Sequence, residues 1–510
     1  MKLQTDDLPN DIEALKTIIR TQQSRESYLQ NQIDQLLEQI RLARHQRFGS
    51  QCEKLSPAQL GLFNEAETDQ PEIDMLDNTS TGTTIQSHQR KKPGRKSLPA
   101  ELPRIEVIHD LDESEKTCPH DGHTLKPIGE TYSEQLDIIP AKIQVIRHIR
   151  KKYACPCCDQ TIKTATLPEQ PIPKSQASSG LLAHIAVSKY ADALPLYRQA
   201  DMWKRISVDF NRGTFANWMC KVGELIQPII NLLNDKLNQN SLIHCDETTV
   251  QVLNEPDKKP QSQSYMWVRT GGQSGEKIIL YDYHPSRSSE VPKQLFEDFK
   301  GIFVTDGYAG YDAVAQQNSL IHAGCMVHAR RKFTEAIKAQ THNKTGKAHQ
   351  GLAFIKKLYA IETETKGATP EQKYKARRQY SKPIIEQFKT WLEKSSQQVP
   401  PKTLTGKAIH YTLKQWPKLI VFLDHGIVPL DNNRAENVIR PFVIGRKNWI
   451  FSTSQRGAKA SANIYSLIQT AKANEIEPFE YLKKVFTELP NAELINDIEK
   501  LLPIVQKDVD

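Results

Sequence analysis

The chain holds 510 residues, of which 38% are hydrophobic and 25% charged. At about 150 residues per domain that makes three or four folded units and excludes a single small binding module, and no apolar run approaches the roughly 20 residues needed to cross a bilayer. The net charge of +8 is unevenly spread: residues 64–87 carry Glu65, Glu67, Asp69, Glu72, Asp74 and Asp77 without one Lys or Arg, so the remainder is basic enough to point to a polyanion such as nucleic acid.

The N-terminus, Met1-Lys2-Leu3-Gln4-Thr5-Asp6-Asp7, lacks the apolar stretch of a secretory signal, so a cytoplasmic protein with reduced cysteines is expected. Ile12, Leu15, Ile19, Gln22, Glu26, Leu29, Ile33, Leu36, Ile40 and Ala43 recur in alternating steps of three and four, the seam of a coiled coil, with Asn10 able to cap its start. A coiled coil over 1–50 predicts a homodimer or higher assembly; the competing reading is an amphipathic helix laid on the protein's own body. An acidic then basic linker follows over 51–103, ending in Arg90, Lys91, Lys92, Pro93, Gly94, Arg95 and Lys96. Pro-Gly keeps that run extended, a form suited to phosphates or a narrow minor groove.

Residues 104–175 read as a small zinc-binding β unit. Cys118-Pro119-His120-Asp121-Gly122-His123 and Cys155-Pro156-Cys157-Cys158 are two turns rich in soft or borderline ligands, and the alternating run Gln144–Tyr153 is a strand that would bring them together. Cys118, Cys155 and Cys158 are the expected zinc ligands, with His123 the preferred fourth and His120, Asp121 and Cys157 in competition. Over 176–235 the pattern turns to short helices joined by tight turns, as in a helix-turn-helix. Asn211 caps the third, which places Arg212, Thr214 and Asn217 at the end that reads DNA.

From 236 to 485 strands and helices alternate. Strands are expected over Ser241–Val250, Tyr265–Arg269 and Lys277–Asp282, then a helix over Pro292–Phe299, a buried strand Gly301–Gly307 and a fifth strand Leu320–Cys325. Three antiparallel strands, a helix, a strand ending in Asp and another strand is the order of a ribonuclease-H-like α/β domain. There the middle of the first strand lies beside the end of the fourth, so Asp246 and Asp306 can share a cation. Period-two alternation turns Glu247 away from them, and its replacement is expected to cost far less than that of Asp246. An all-α insertion over about 334–428 precedes Asp431-Asn432-Asn433-Arg434-Ala435-Glu436, a helix start where Asp431 or Asn432 is the expected cap and Glu436 is a third acid. Residues 486–510 read as a C-terminal helical tail.

These blocks resemble, nearly end to end, the insertion-sequence-66 family of DDE-class transposases. The matching text includes Lys92-Pro93-Gly94-Arg95-Lys96, Lys152-Tyr153-Ala154-Cys155, Asp246-Glu247-Thr248, Asp306-Gly307-Tyr308-Ala309-Gly310-Tyr311, His328-Ala329-Arg330-Arg331-Lys332-Phe333 and Glu436-Asn437-Val438-Ile439-Arg440-Pro441. The resemblance implies that Asp246, Asp306 and Glu436 are catalytic. It also implies DNA-bound dimers, accessory proteins encoded by the same element, and a bacterial, nucleoid-associated setting. Asp121 stands where relatives have the second cysteine of Cys-Pro-x-Cys-Gly, which leaves the fourth zinc ligand open.

The chemistry expected of the acids is phosphoryl transfer with two Mg²⁺ ions, Mn²⁺ being a substitute, which activate a water or 3′-hydroxyl and neutralise the leaving oxygen. Arg440, Arg446 and Lys447 would hold DNA backbone nearby. Cys325 and His328, a Cys-x-x-His pair beside the fifth strand, either position the acids from behind or are merely structural; two ligands alone do not make a zinc site. Cleavage at terminal inverted repeats and transfer of 3′-ends to target DNA is the expected function. The alternatives are a metal-dependent nuclease or resolvase, and a DNA-binding regulator that has no need of three metal-holding acids. The cysteine turns predict about one zinc per purified chain, largely lost in Cys155→Ser; elemental analysis that finds no stoichiometric metal in fresh protein contradicts them.

Overall fold

The computed structural model describes residues 11–48, 143–154, 162–317, 320–339 and 346–504. The ligand turns with Cys118, His123, Cys155 and Cys158, and the basic run from Arg90 to Lys96, lie outside the described residues. The chain divides into two compact units, Met1–Glu72 with Pro168–Asp510, and Ile73–Leu167. In the smaller, β1 (Lys152–Ala154) pairs antiparallel with β2 (Ile162–Thr164). The strand expected over 144–153 is thus realised only at its end. Ile143, Val145, Ile146 and Ile149 are exposed and make no ladder among the described residues, because alternation specifies a strand only where another edge takes up its backbone groups.

In the larger unit α1 (Ile12–Phe48) is one continuous helix. Asp11 serves its start, accepting the N–H of Ala14 at 3.2 Å. Ile12, Ile19, Leu29, Ile33, Leu36 and Ile40 all lie exposed along the seam, uncovered by the described residues.

The sheet order is β5-β4-β3-β6-β7, with β8 pairing β3. The strands are β3 (Leu242–Asn254), β4 (Gln263–Gly271), β5 (Ile278–His284), β6 (Ile302–Thr305), β7 (Ile321–Gly324) and β8 (Phe451–Ser454). β3, β4 and β5 run antiparallel, while β6 and β8 are parallel to β3 and β7 to β6. One edge of β3 is divided: Leu242–His244 pair with β6 and Gln251–Asn254 with β8, and between them Cys245–Val250 meet no strand on that side among the described residues.

The helices α2 (Ser179–Tyr190), α3 (Leu196–Lys204), α4 (Arg212–Leu225) and α5 (Gln227–Asn238) share one core with the sheet and with α14 and α15, given below; Ile185, Phe215 and Leu233 are buried beside Met266, Tyr281 and Leu467. The short α6 (Glu290–Leu295) and α7 (Gly310–Gln317) lie between strands. A second core belongs to the helical insertion. It is built from α8 (Met326–Lys338), α9 (Lys347–Glu364), α11 (Lys382–Ser396) and α12 (Leu404–Leu419), with the short α10 (Pro370–Ala376) between α9 and α11 in the chain; it packs around Phe333, Phe388 and Trp416 and reaches Val304 and Ala323 of the sheet. Then come α13 (Asn433–Trp449), α14 (Gln455–Ala473), α15 (Pro478–Glu488) and α16 (Ile495–Glu499). Ile450, at φ +67°, turns the chain from α13 into β8, a strained conformation for a β-branched residue.

β5 is an edge strand, and α14 satisfies it with side chains where a further strand would have used backbone. Ile279 donates its N–H to Thr470 Oγ1 at 3.0 Å, and Thr470 donates back to Ile279 O at 3.0 Å. Tyr281 N–H reaches Ser466 Oγ at 2.8 Å, and Asn474 brackets Lys277 through both amide atoms. Thr470→Val keeps the shape and orphans two buried backbone groups, at about 1–3 kcal/mol each. Urea unfolding should show a loss of roughly 2–6 kcal/mol, and an unchanged midpoint contradicts this role.

Candidate active site

Asp246 stands in the gap of the divided β3 edge. The parallel register pairs His244 with Val304, so two residues further on Asp246 is level with Asp306, which follows the last residue of β6. Glu436 comes from the first turn of α13. That helix is seated by Asn432, only 1% exposed, which donates Nδ2 to Cys245 O at 2.8 Å and meets His244 Nδ1 with its Oδ1 at 2.9 Å. Its backbone N–H points to Cys325 Sγ at 3.2 Å. Of the two expected caps, Asp431 does the local work, accepting the N–H of Asn433 at 3.1 Å, whereas the Asn432 side chain is spent on β3.

Burial first, and then the charges of Glu247, Asp306 and Glu436, push the Asp246 carboxyl well above the usual carboxylate range. A buried acid whose ionisation its acidic neighbours oppose marks a place that a cation would relieve. Glu436 Oε1 is buried with no hydrogen-bond partner, as fits a group held for a metal. Gly307 lets the insertion close over the second acid, because a Cβ there would stand 2.8 Å from Tyr411 Oη and 2.9 Å from Gln415 Nε2 of α12. Cations flank the acids: Arg331 Nη2 lies 3.8 Å from Glu436 Oε2, and Lys332 sits over the Tyr411 ring.

Glu247 does turn to the opposite face, but it is not idle there. Its side chain is 2% exposed; Tyr311 Oη donates to Oε2 at 2.5 Å and Arg287 Nε to Oε1 at 2.7 Å. Arg287 also reaches Asp306 Oδ2 at 3.9 Å and lies over the Tyr308 ring, while Tyr308 N–H holds Asp306 Oδ1 at 2.9 Å. Glu247 therefore positions the arginine that neighbours the second acid. Sequence reasoning missed Arg287, and the one available signal was a carboxylate directly after Asp246, on the face that carries Ile243 and Cys245.

The other expected residues divide. Arg446 is engaged within the chain at the open edge of β3, where its Nη1 donates to Thr248 Oγ1 at 3.0 Å, to Thr249 Oγ1 at 3.1 Å and to Thr249 O. Arg212, Asn217 and Lys447 are exposed and Arg440 is half-buried. Cys325, buried, and His328, which burial holds below the usual histidine range, come together with Glu436. Among the described residues no helix is long and apolar enough to cross a membrane.

The profile of the "Transposase IS66 family" matches residues 174–460. Further profiles match in order: "Transposase C of IS166 homeodomain" over 35–107, "zinc-finger binding domain of transposase IS66" over 115–159, and "IS66 C-terminal element" over 466–504. Similar proteins include the uncharacterized y4jD of Sinorhizobium fredii, 30% identical over 99% of this chain and 98% of its own length. Uncharacterized y4qI of the same organism is also 30% identical, over 99% and 98%, and y4hP is 28% identical over 93% and 88%. No solved structure matches.

Glu247→Gln weakens a charged hydrogen bond to Arg287 and should lower stability to urea by about 1–3 kcal/mol. Stability equal to the parent would mean that Arg287 is held by Tyr308 and Asp306 alone.

Proposed function

Because the chain belongs to the transposase IS66 family, we propose that it binds the terminal inverted repeats of its insertion sequence, cleaves there and transfers the 3′-ends to target DNA. Asp246, Asp306 and Glu436 are the residues that would hold the cations. When bound, two Mg²⁺ ions, or Mn²⁺ in their place, supply an activated water or 3′-hydroxyl and a neutralised leaving oxygen. The chain's own work is positional. β3 and the end of β6 present two acids side by side, α13 brings the third, and Tyr308 N–H and Arg287 fix the orientation of Asp306. The single observation that carries the reading is the crowding of Asp246 by Asp306 and Glu436, acids far apart in sequence.

The strand order, with helices packed on the sheet and an all-α insertion before the glutamate, supports a ribonuclease-H-like catalytic core. In this reading the zinc finger, the basic run from Arg90 to Lys96, and Arg212, Asn217, Arg440 and Lys447 hold DNA backbone. The exposed seam of α1 pairs two chains, which would tether two element ends, and accessory proteins of the same element complete the assembly. The proposed domain limits are those expected from the sequence, from 1–50 to 486–510; the helices of 176–235 share one core with the sheet.

Asp246→Asn, Asp306→Asn and Glu436→Gln each keep shape and remove a charge. Each should lower Mg²⁺-dependent end cleavage at least ~100-fold while end binding survives. Cleavage like the parent's by Asp246→Asn or Glu436→Gln removes the catalytic assignment. Tight end binding without cutting under any divalent metal makes the protein a regulator instead.

A further inference from the structure

Three donors of different chemistry meet beside the acids. Cys325 Sγ, His328 and Glu436 present ligand atoms within 4.8 Å of one another. Cys325 ends the turn before α8 and His328 lies in its first turn, so two donors come from one element at i and i+3; Glu436 arrives from α13. The two elements are tied where they start, Met326 donating its N–H to Leu430 O at 3.0 Å and Asn432 its N–H to Cys325 Sγ at 3.2 Å. His328 Nδ1 and Glu436 Oε1 face each other at 4.0 Å, both are shut off from solvent, and neither has a hydrogen-bond partner. Two buried, unsatisfied atoms aimed at one point are costly unless something binds between them.

We propose that Cys325, His328 and Glu436 form a transition-metal site of the zinc or cobalt class, distinct from oxygen-ligated Mg²⁺. A thiolate, an imidazole and a carboxylate are a soft-to-borderline set, whereas Mg²⁺ takes oxygens. Metal–ligand bonds of about 2.0–2.3 Å put tetrahedral donors roughly 3.3–3.8 Å apart, so side-chain rotation of about 1 Å or less closes the site. Three protein ligands leave a fourth position for water or a phosphate oxygen, as in zinc sites that take substrate. The site shares Glu436 with the proposed catalytic acids, yet its existence does not depend on whether the protein cuts DNA.

The test is Co²⁺ titration of metal-stripped full-length protein, read as equivalents bound with thiolate-to-cobalt charge transfer in the near ultraviolet. The parent should take up two such equivalents, one in the zinc finger and one here. Cys325→Ser and His328→Asn should each lose one, Cys155→Ser the other, and Asp246→Asn neither, whatever its cleavage activity. His328→Asn guards against misfolding, since Nδ1 has no hydrogen bond to lose, and its melting temperature should match the parent's. If Cys325→Ser and His328→Asn both keep two equivalents and the parent spectrum, the site does not exist and the thiol only accepts the Asn432 N–H.

Discussion

The divided edge of β3 governs the rest of the structure. One strand cannot pair continuously with two partners that end and begin at different places, so the carbonyls between His244 and Gln251 need other donors. α13 supplies them from both of its ends. Asn432, just before its first turn, donates to Cys245 O, and Arg446, in its last turn, donates to Thr249 O. A helix anchored at both ends across the gap has little freedom to rotate, and Glu436, in its first turn, is held in place with it. The same solution recurs at the far edge of the sheet, where Ser466, Thr470 and Asn474 of α14 stand in for a strand beside β5.

The electrostatics follow from that geometry. With α13 fixed, Glu436 cannot retreat from Asp246, and the register of β6 gives Asp306 no other place to go. The molecule offsets part of this repulsion with Arg287 beside Asp306 and Arg331 beside Glu436. Among the described residues Asp246 has no such cation, and burial and neighbouring charge push its carboxyl well above the usual range. Crowded acids, one left without a positive partner, are what a site for divalent cations requires before the cations arrive. The helical insertion adds a wall to this site through Tyr411 and Gln415 over Gly307.

Much of this was legible in the sequence because it rests on periodicity and on acids at strand ends. β3 to β7 emerged in order, as did the helical insertion and the acid-bearing helix. What stayed hidden depends on who partners whom. β8, Phe451-Ser452-Thr453-Ser454, is too short and polar to show a strand pattern, and without it β3 has no divided edge. Arg446 and Asn432 look like surface residues on a helix, because nothing local tells that a carbonyl of another strand awaits them. The run Gln144–Tyr153 erred the other way, carrying the alternation of a strand without a partner for most of its length. Glu247 was placed on the right face, but the arginine that makes it matter lies in a loop with no pattern.

The central claim is that three acids distant in sequence share one place for a cation, and bound iron can report that place directly. Fe²⁺ replacing the native cation, with ascorbate and peroxide, releases hydroxyl radicals that cut the polypeptide close to where the ion sits. In Cys325→Ser protein, where iron cannot be held by the thiol, the account predicts three clusters of cuts, around Asp246, Asp306 and Glu436, all suppressed together by excess Mg²⁺ and lost together when Asp246→Asn is added. Cuts near only one of the three segments, or a pattern indifferent to both Mg²⁺ and Asp246→Asn, would contradict it.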